Sequence, residues 1–160
     1  MLKDDQIKSL MLAWELEKSL AELYTRFGEQ LPEFKELWER LVQEEQGHAE
    51  AVRRLYQMTY EGRCAFAAGT IKCDAIRSIV DYVRETIDAT ALVRFAPAHA
   101  LEFVYDLENS LIERDVFSHF RVSPDFTETL RLLDAETRQH VNLAKNALDK
   151  LRAGGAPAAT

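Results

Sequence analysis

The chain has 160 residues, 47% of them hydrophobic and 29% charged, with 20 basic against 27 acidic side chains and a net charge of −7. That length suits one domain with a real core, and an acidic balance without a basic stripe argues against nucleic acid and an anionic membrane surface as partners. Six glycines and four prolines point to an all-helical chain, no apolar run approaches a bilayer span, and Met1-Leu2-Lys3-Asp4-Asp5 lacks a signal-like apolar stretch, so a cytoplasmic setting is expected.

Four strong helical segments follow in chain order. The first runs from about Asp4 to Gly28, with a seam of Ile7, Leu10, Trp14, Glu17, Ala21 and Tyr24 at steps of three and four. The second opens at Pro32, a good first-turn residue, and ends near Gly62. Its seam is Phe34, Trp38, Leu41, Glu45, His48, Val52 and Leu55. The third spans about Pro97 to Phe120, with Leu101, Val104, Glu108 and Leu111 on one face. The fourth starts at Ser123-Pro124, a cap and a first-turn proline, and runs to about Leu151 with Phe126, Leu130, Leu133, Thr137, His140, Ala144 and Ala147 inward. Residues 1–152 are expected to form one bundle, and the tail of 153–160 to be disordered.

Connection lengths set the topology. A few residues around Glu29 to Leu31 join the first pair of helices, and a few around Arg121 and Val122 join the second, so each pair should be an antiparallel hairpin. About 35 residues, from Glu61 to Ala96, separate the pairs and can cross the whole bundle. This link carries its own helix, Asp74 to Ala89, with Ile76, Ile79, Val80, Val83 and Ile87 at helical spacing. Two hairpins plus one long crossover is the ferritin-like arrangement.

The seams hold an anomaly. Glu17, Glu45 with His48, Glu108, and Glu136 with His140 fall where apolar core residues belong. A carboxylate buried without a partner carries a large desolvation cost or takes up a proton. One glutamate on a seam usually snorkels or fixes register. Six acids and imidazoles at matched positions make better sense around a cation. Glu45 and His48, three apart, leave the same helix face, as do Glu136 and His140, four apart. Oxygen-rich ligands with one imidazole per metal suit iron or manganese better than structural zinc.

The halves also repeat. Leu16-Glu17-Lys18-Ser19-Leu20 matches Leu107-Glu108-Asn109-Ser110-Leu111 at an offset of 91 residues, whereas Pro32-Glu33-Phe34 matches Pro124-Asp125-Phe126, and Glu44 with His48 matches Glu136 with His140, at 92. A duplicated helical hairpin accounts for this. With Pro124 and His140 setting the register, Thr137 occupies the place of Glu45. With Glu108 setting it, Glu136 matches Glu45 and Gln139 stands at the histidine position.

These motifs, over about Asp4 to Leu151, resemble the rubrerythrin family of the ferritin-like di-iron carboxylate superfamily: Glu17 and Tyr24 on the first helix, Glu45-x-x-His48 on the second, Glu108 and Glu136 to His140 in the second half. The resemblance implies a two-metal site with two iron ions, or manganese or a mixed pair. Glu45 and its second-half counterpart would bridge the metals, Glu17 and Glu108 would be terminal ligands, and His48 and His140 would bind one metal each. Tyr24 would sit beside the site as a redox neighbour or as a core tyrosine bonded to a ligand carboxylate. The family's extra glutamate on the third helix is replaced by Leu111. The rubredoxin cysteines are absent, so electrons would come from a separate donor.

The function implied is an oxidoreductase acting on peroxide or dioxygen, as a peroxidase or ferroxidase. A non-enzymatic metal-binding or interaction protein with a degenerate second half-site is the alternative, and a homodimer fits either. Cys64 and Cys73 match no common metal-site spacing; reduced thiols or a regulatory disulfide are both open. Glu102, Asp106 and Glu113 read as solvated or interface charges, and His99 as a surface or crossover residue. His119 reads as a complement to a helix dipole, and Trp14 and Trp38 as core.

Overall fold

The computed structural model describes residues 4–66, 73–114 and 120–154. Among the described residues there are five helices: α1 (Asp4–Gln30), α2 (Lys35–Tyr60), α3 (Cys73–Thr90), α4 (Pro97–Arg114) and α5 (Pro124–Arg152). A 3-10 turn, Pro32–Phe34, leads into α2. Among the described residues the expected all-helical architecture is met, apart from one two-residue antiparallel pair of β1 (Ala65–Phe66) with β2 (Phe120–Arg121).

Side-chain contacts fix the helix directions. Phe27 meets Trp38 while Glu17 meets His48, so α1 and α2 are antiparallel. Glu102 pairs with Arg152 and Glu108 with His140, which makes α4 and α5 antiparallel. Between the hairpins, Tyr24 bonds Glu108 and Phe27 packs on Phe103, while Glu44 meets His140 and His48 meets Glu136. Both contacts between hairpins are therefore antiparallel as well. The ring of helices runs α1, α2, α5, α4, with like directions on the diagonals.

That ring requires α2 and α4 to point the same way, so the chain must return the length of the bundle between them. α3 makes the return. Cys73 Sγ lies 3.0 Å from Ser9 Oγ, Arg84 pairs with Glu15, and Gln30 Nε2 donates to Thr90 O at 2.7 Å. α3 thus runs beside α1 in the same direction, and its 18 residues span about 27 Å. Ile76, Ile79, Val80 and Val83 are buried in one cluster with Leu12, Leu16, Leu20 and Leu23 of α1. Covered on several sides, α1 buries more than the single seam expected, and each such leucine contributes about 1.5–3 kcal/mol. Trp38 is in the core, whereas Trp14 is half-buried beneath the Lys18 ammonium, 4.1 Å from its ring centroid.

Two glycines shape the first hairpin. A Cβ at Gly28 would lie 3.1 Å from Trp38 Cβ, so the glycine lets α1 and α2 close around that indole. Gly62, at φ 74°, ends α2 in a conformation that side chains resist.

The second hairpin departs from expectation at its turn. The described part of α4 reaches Arg114, and residues 115–119, over which the helix was expected to continue, lie outside the described residues. Phe120 and Arg121 are extended, because their backbone pairs with the segment following α2. Ser123 occupies the N-cap of α5, yet its side chain makes no capping bond. Its carbonyl accepts from Phe126 N at 2.9 Å, and Pro124 sets the first turn. The Glu113 side chain, His119 and most of the expected tail lie outside what is described.

The apolar interior is divided. A large cluster gathers around Tyr24, Phe27, Trp38, Leu101 and Val104; a smaller one holds Leu10, Ala51, Leu55, Phe126, Leu130 and Leu133. Buried polar side chains on all four bundle helices contribute a layer that neither cluster contains.

Candidate metal centre

Glu17, Glu45, His48, Glu108 and His140 are all buried, with exposures of 6%, 1%, 1%, 1% and 0%. Each rises from mid-helix, so backbone rigidity places it. The His48 and His140 rings stack with centroids 5.5 Å apart and planes 22° off parallel. Around them the acids form two groups that could each hold a metal ion. Glu17, Glu45 and His48 bring one ligand atom each to within 4.8 Å of one another, and so do Glu45, Glu108 and His140.

Glu45 belongs to both groups and divides its oxygens between them. Its Oε2 is 3.1 Å from His48 Nδ1; its Oε1 is 3.0 Å from His140 Nδ1. Glu17 Oε2 lies 3.7 Å from His48 Nδ1, and Glu108 Oε1 lies 3.3 Å from His140 Nδ1. Tyr24 donates its phenolic proton to Glu108 Oε1 at 2.5 Å. Tyr24 therefore sits where the sequence put it, bonded to a candidate ligand.

Glu136 is placed differently from the other five. Its Oε2 is 2.9 Å from His48 Nε2, on the far side of the ring from Glu45. Glu44 does the same for His140, with Oε2 2.7 Å from Nε2, and is itself held by Arg40 Nε at 2.8 Å. The reciprocal pairs settle the register of α2 against α5: Glu44 corresponds to Glu136 and His48 to His140. Glu17 and Glu108 keep their own offset on α1 and α4. Thr137 then takes the place of Glu45, and its hydroxyl donates to Leu133 O at 2.9 Å. Glu44 was legible only as a repeated residue one turn before each histidine; its role depends on a helix from the other hairpin.

The electrostatics reveal a strained charge balance. Burial raises the Glu17 carboxyl, the Glu45 charge adds to this, and contact with His48 opposes it; the result is about 7. Burial lowers the His48 imidazole, but Glu17 and Glu45 more than reverse that and push it up to about 12. His140 is likewise lowered by burial and raised by Glu108 and Glu45, to about 10. Burial and then the Glu108 charge raise the Tyr24 phenol well above its ordinary value, so it keeps its proton. Burial raises Glu44, yet Arg40 and His140 outweigh it and leave that carboxyl lowered. The rings act as counter-ions to acids that water does not reach.

The oxygen-rich donor set with an imidazole in each group is of a kind that could hold a metal ion. Glu45 Oε1 gives the sharpest test. It is buried and makes no hydrogen bond, despite its closeness to His140 Nδ1, whose bond goes to Glu108 Oε1. Its close polar neighbour among the described residues is that nitrogen, at 3.0 Å, and a cation shared with His140 would satisfy the oxygen directly.

Other marked residues lie elsewhere. His99 is exposed beside Phe95, Asp106 is exposed, and Glu102 pairs with Arg152 at the surface. Cys64 and Cys73 are thiols and not a disulfide; burial raises the Cys64 thiol. No helix among the described residues is long and apolar enough to cross a membrane. Fold and site define a helical bundle with a buried glutamate–histidine layer able to hold metal. No family model, curated protein or solved structure matches the chain significantly.

Proposed function

We propose that this protein is a ferritin-like, rubrerythrin-like two-metal oxidoreductase acting on peroxide or dioxygen. The observation that carries the reading is the sharing of Glu45: two glutamate–histidine groups, one on each side, each take one of its oxygens. His48 and Glu17 would hold one cation, His140 and Glu108 the other, and Glu45 both. Two redox-active ions such as iron, or manganese or a mixed pair, would supply the electrons for peroxide or dioxygen reduction. The chain's own part is to fix the ligands, exclude water, and hold the protonated Tyr24 hydroxyl against Glu108. With no rubredoxin cysteines, a separate protein would donate the electrons. A homodimer in the cytoplasm completes the reading.

One observation favours a second reading. Thr137 replaces the second bridging glutamate and turns to its own helix. A non-enzymatic metal-binding or interaction protein with one cation would need no such bridge. Metal analysis of purified protein, followed by rapid mixing of the ferrous form with peroxide, separates the two. Two irons per chain and a fast spectral change support the oxidoreductase. One metal and no change would support the alternative.

A further inference from the structure

We propose that Glu44 and Glu136 are positioning residues wired across the hairpins, each fixing the metal-binding histidine of the opposite half. This rests on the two-metal reading above. A neutral imidazole has one N–H and one lone pair. In both rings Nδ1 faces the candidate ligands, Glu17 and Glu45 for His48, and Glu45 and Glu108 for His140. A ring that offers its Nδ1 lone pair to a cation must carry its proton on Nε2. The side chains of His48 and His140 are 2% and 0% exposed, so that N–H needs an acceptor within the protein. Glu136 meets His48 Nε2 at 2.9 Å and Glu44 meets His140 Nε2 at 2.7 Å. An acceptor there fixes both the tautomer and the ring rotation.

The wiring runs against chain proximity. Glu44 adjoins Glu45 and lies one turn from His48, yet serves His140 on α5. Glu136 lies one turn from His140, yet serves His48 on α2. Each metal group therefore depends on a residue of the other hairpin, and metal binding is coupled to hairpin docking. The side chains of Glu44 and Glu136 are 18% and 27% exposed, so replacing them does not hollow out the core.

Cobalt(II) titration of the full chain, read by its visible absorption, tests this in two backgrounds. Glu108→Ala leaves the group of Glu17, Glu45 and His48; Glu17→Ala leaves the group of Glu45, Glu108 and His140. In the first background, Glu136→Leu is expected to weaken cobalt binding about 10–100-fold, with Glu44→Leu leaving it unchanged. In the second, the pattern inverts. Glu136→Gln and Glu44→Gln keep an acceptor oxygen and should restore most of the affinity, which a merely structural role would not require. Equal losses, or losses confined to the same half, overturn the wiring and leave the metal reading standing. No cobalt bound to the unsubstituted protein overturns both. Should either background fail to fold, ring-nitrogen NMR of the zinc-loaded chain with single substitutions decides. Glu136→Leu must then displace the His48 Nε2–H signal alone and Glu44→Leu that of His140 alone; any other pattern overturns the proposal.

Discussion

Glu17 and Glu108 hold equivalent places in the two halves, but their surroundings differ. Glu108 accepts a hydrogen bond from the Tyr24 hydroxyl at 2.5 Å, whereas among the described residues Glu17 has no hydroxyl partner. The position 91 residues after Tyr24 is Asp115, outside the described residues. The outer carboxylates differ too. Arg40 clamps Glu44, while the corresponding residue one turn before Glu136 is Leu132, 55% exposed. The half that looks degenerate in sequence, because Thr137 replaces a glutamate, is thus the half whose candidate ligands have the more elaborate hydrogen-bond partners. A half-site's quality depends on what orients each ligand as well as on how many it owns.

The largest effect should come from the residue the halves share. Glu45→Ala is expected to abolish binding of both metals, measured as metal per chain after gel filtration; retention of one metal would mean the halves are independent. In the metal-free protein the sign should reverse. Glu45→Leu removes one acid from a layer of three acids and two imidazoles, leaving two of each, and should raise the melting temperature by about 2–4 °C for about 1 kcal/mol.

Next come the terminal acids. Glu17→Ala and Glu108→Ala should each lose one metal of the pair, so stoichiometry should fall by half in either variant. Loss of both metals from either one would merge the two groups into a single site.

Tyr24→Phe probes the asymmetry directly. It frees Glu108 and removes a bond to a charged group, costing about 1.5–3 kcal/mol of metal-free stability by chemical denaturation. It should weaken only the group containing Glu108 and His140. Equal weakening of both groups would place the phenol's influence on Glu45.

The smallest effect should follow from completing the symmetry. Leu132→Arg would give Glu136 a partner one turn away, as Arg40 is to Glu44. An exposed pair at that spacing adds about 0.3–0.5 kcal/mol, visible as a slight rise in melting temperature that salt removes. A rise that persists in high salt would point to packing instead.

Tyr24, Glu17, Glu45, His48, Glu108 and His140 were legible in the sequence because helical periodicity assigns each to an inward seam, where an acid or imidazole stands out against leucine. The five helices were legible for the same reason, and the α3 crossover because 35 residues between hairpins can span a bundle. The turn between α4 and α5 was not, since Phe120 and Arg121 are extended by pairing with a strand some 55 residues away. The place of Glu136 was not legible either.

Sequence by itself determined that Glu17, Glu45, His48, Glu108 and His140 face inward, because that follows from the 3.6-residue repeat within each helix. Tertiary structure alone decided which acid meets which nitrogen. That choice depends on how α2 and α5 pair across the hairpin boundary, where a one-residue difference in offset exchanges Glu136 and Thr137 between the centre and its rim. Local periodicity has no information about that pairing; packing of the two hairpins supplies it.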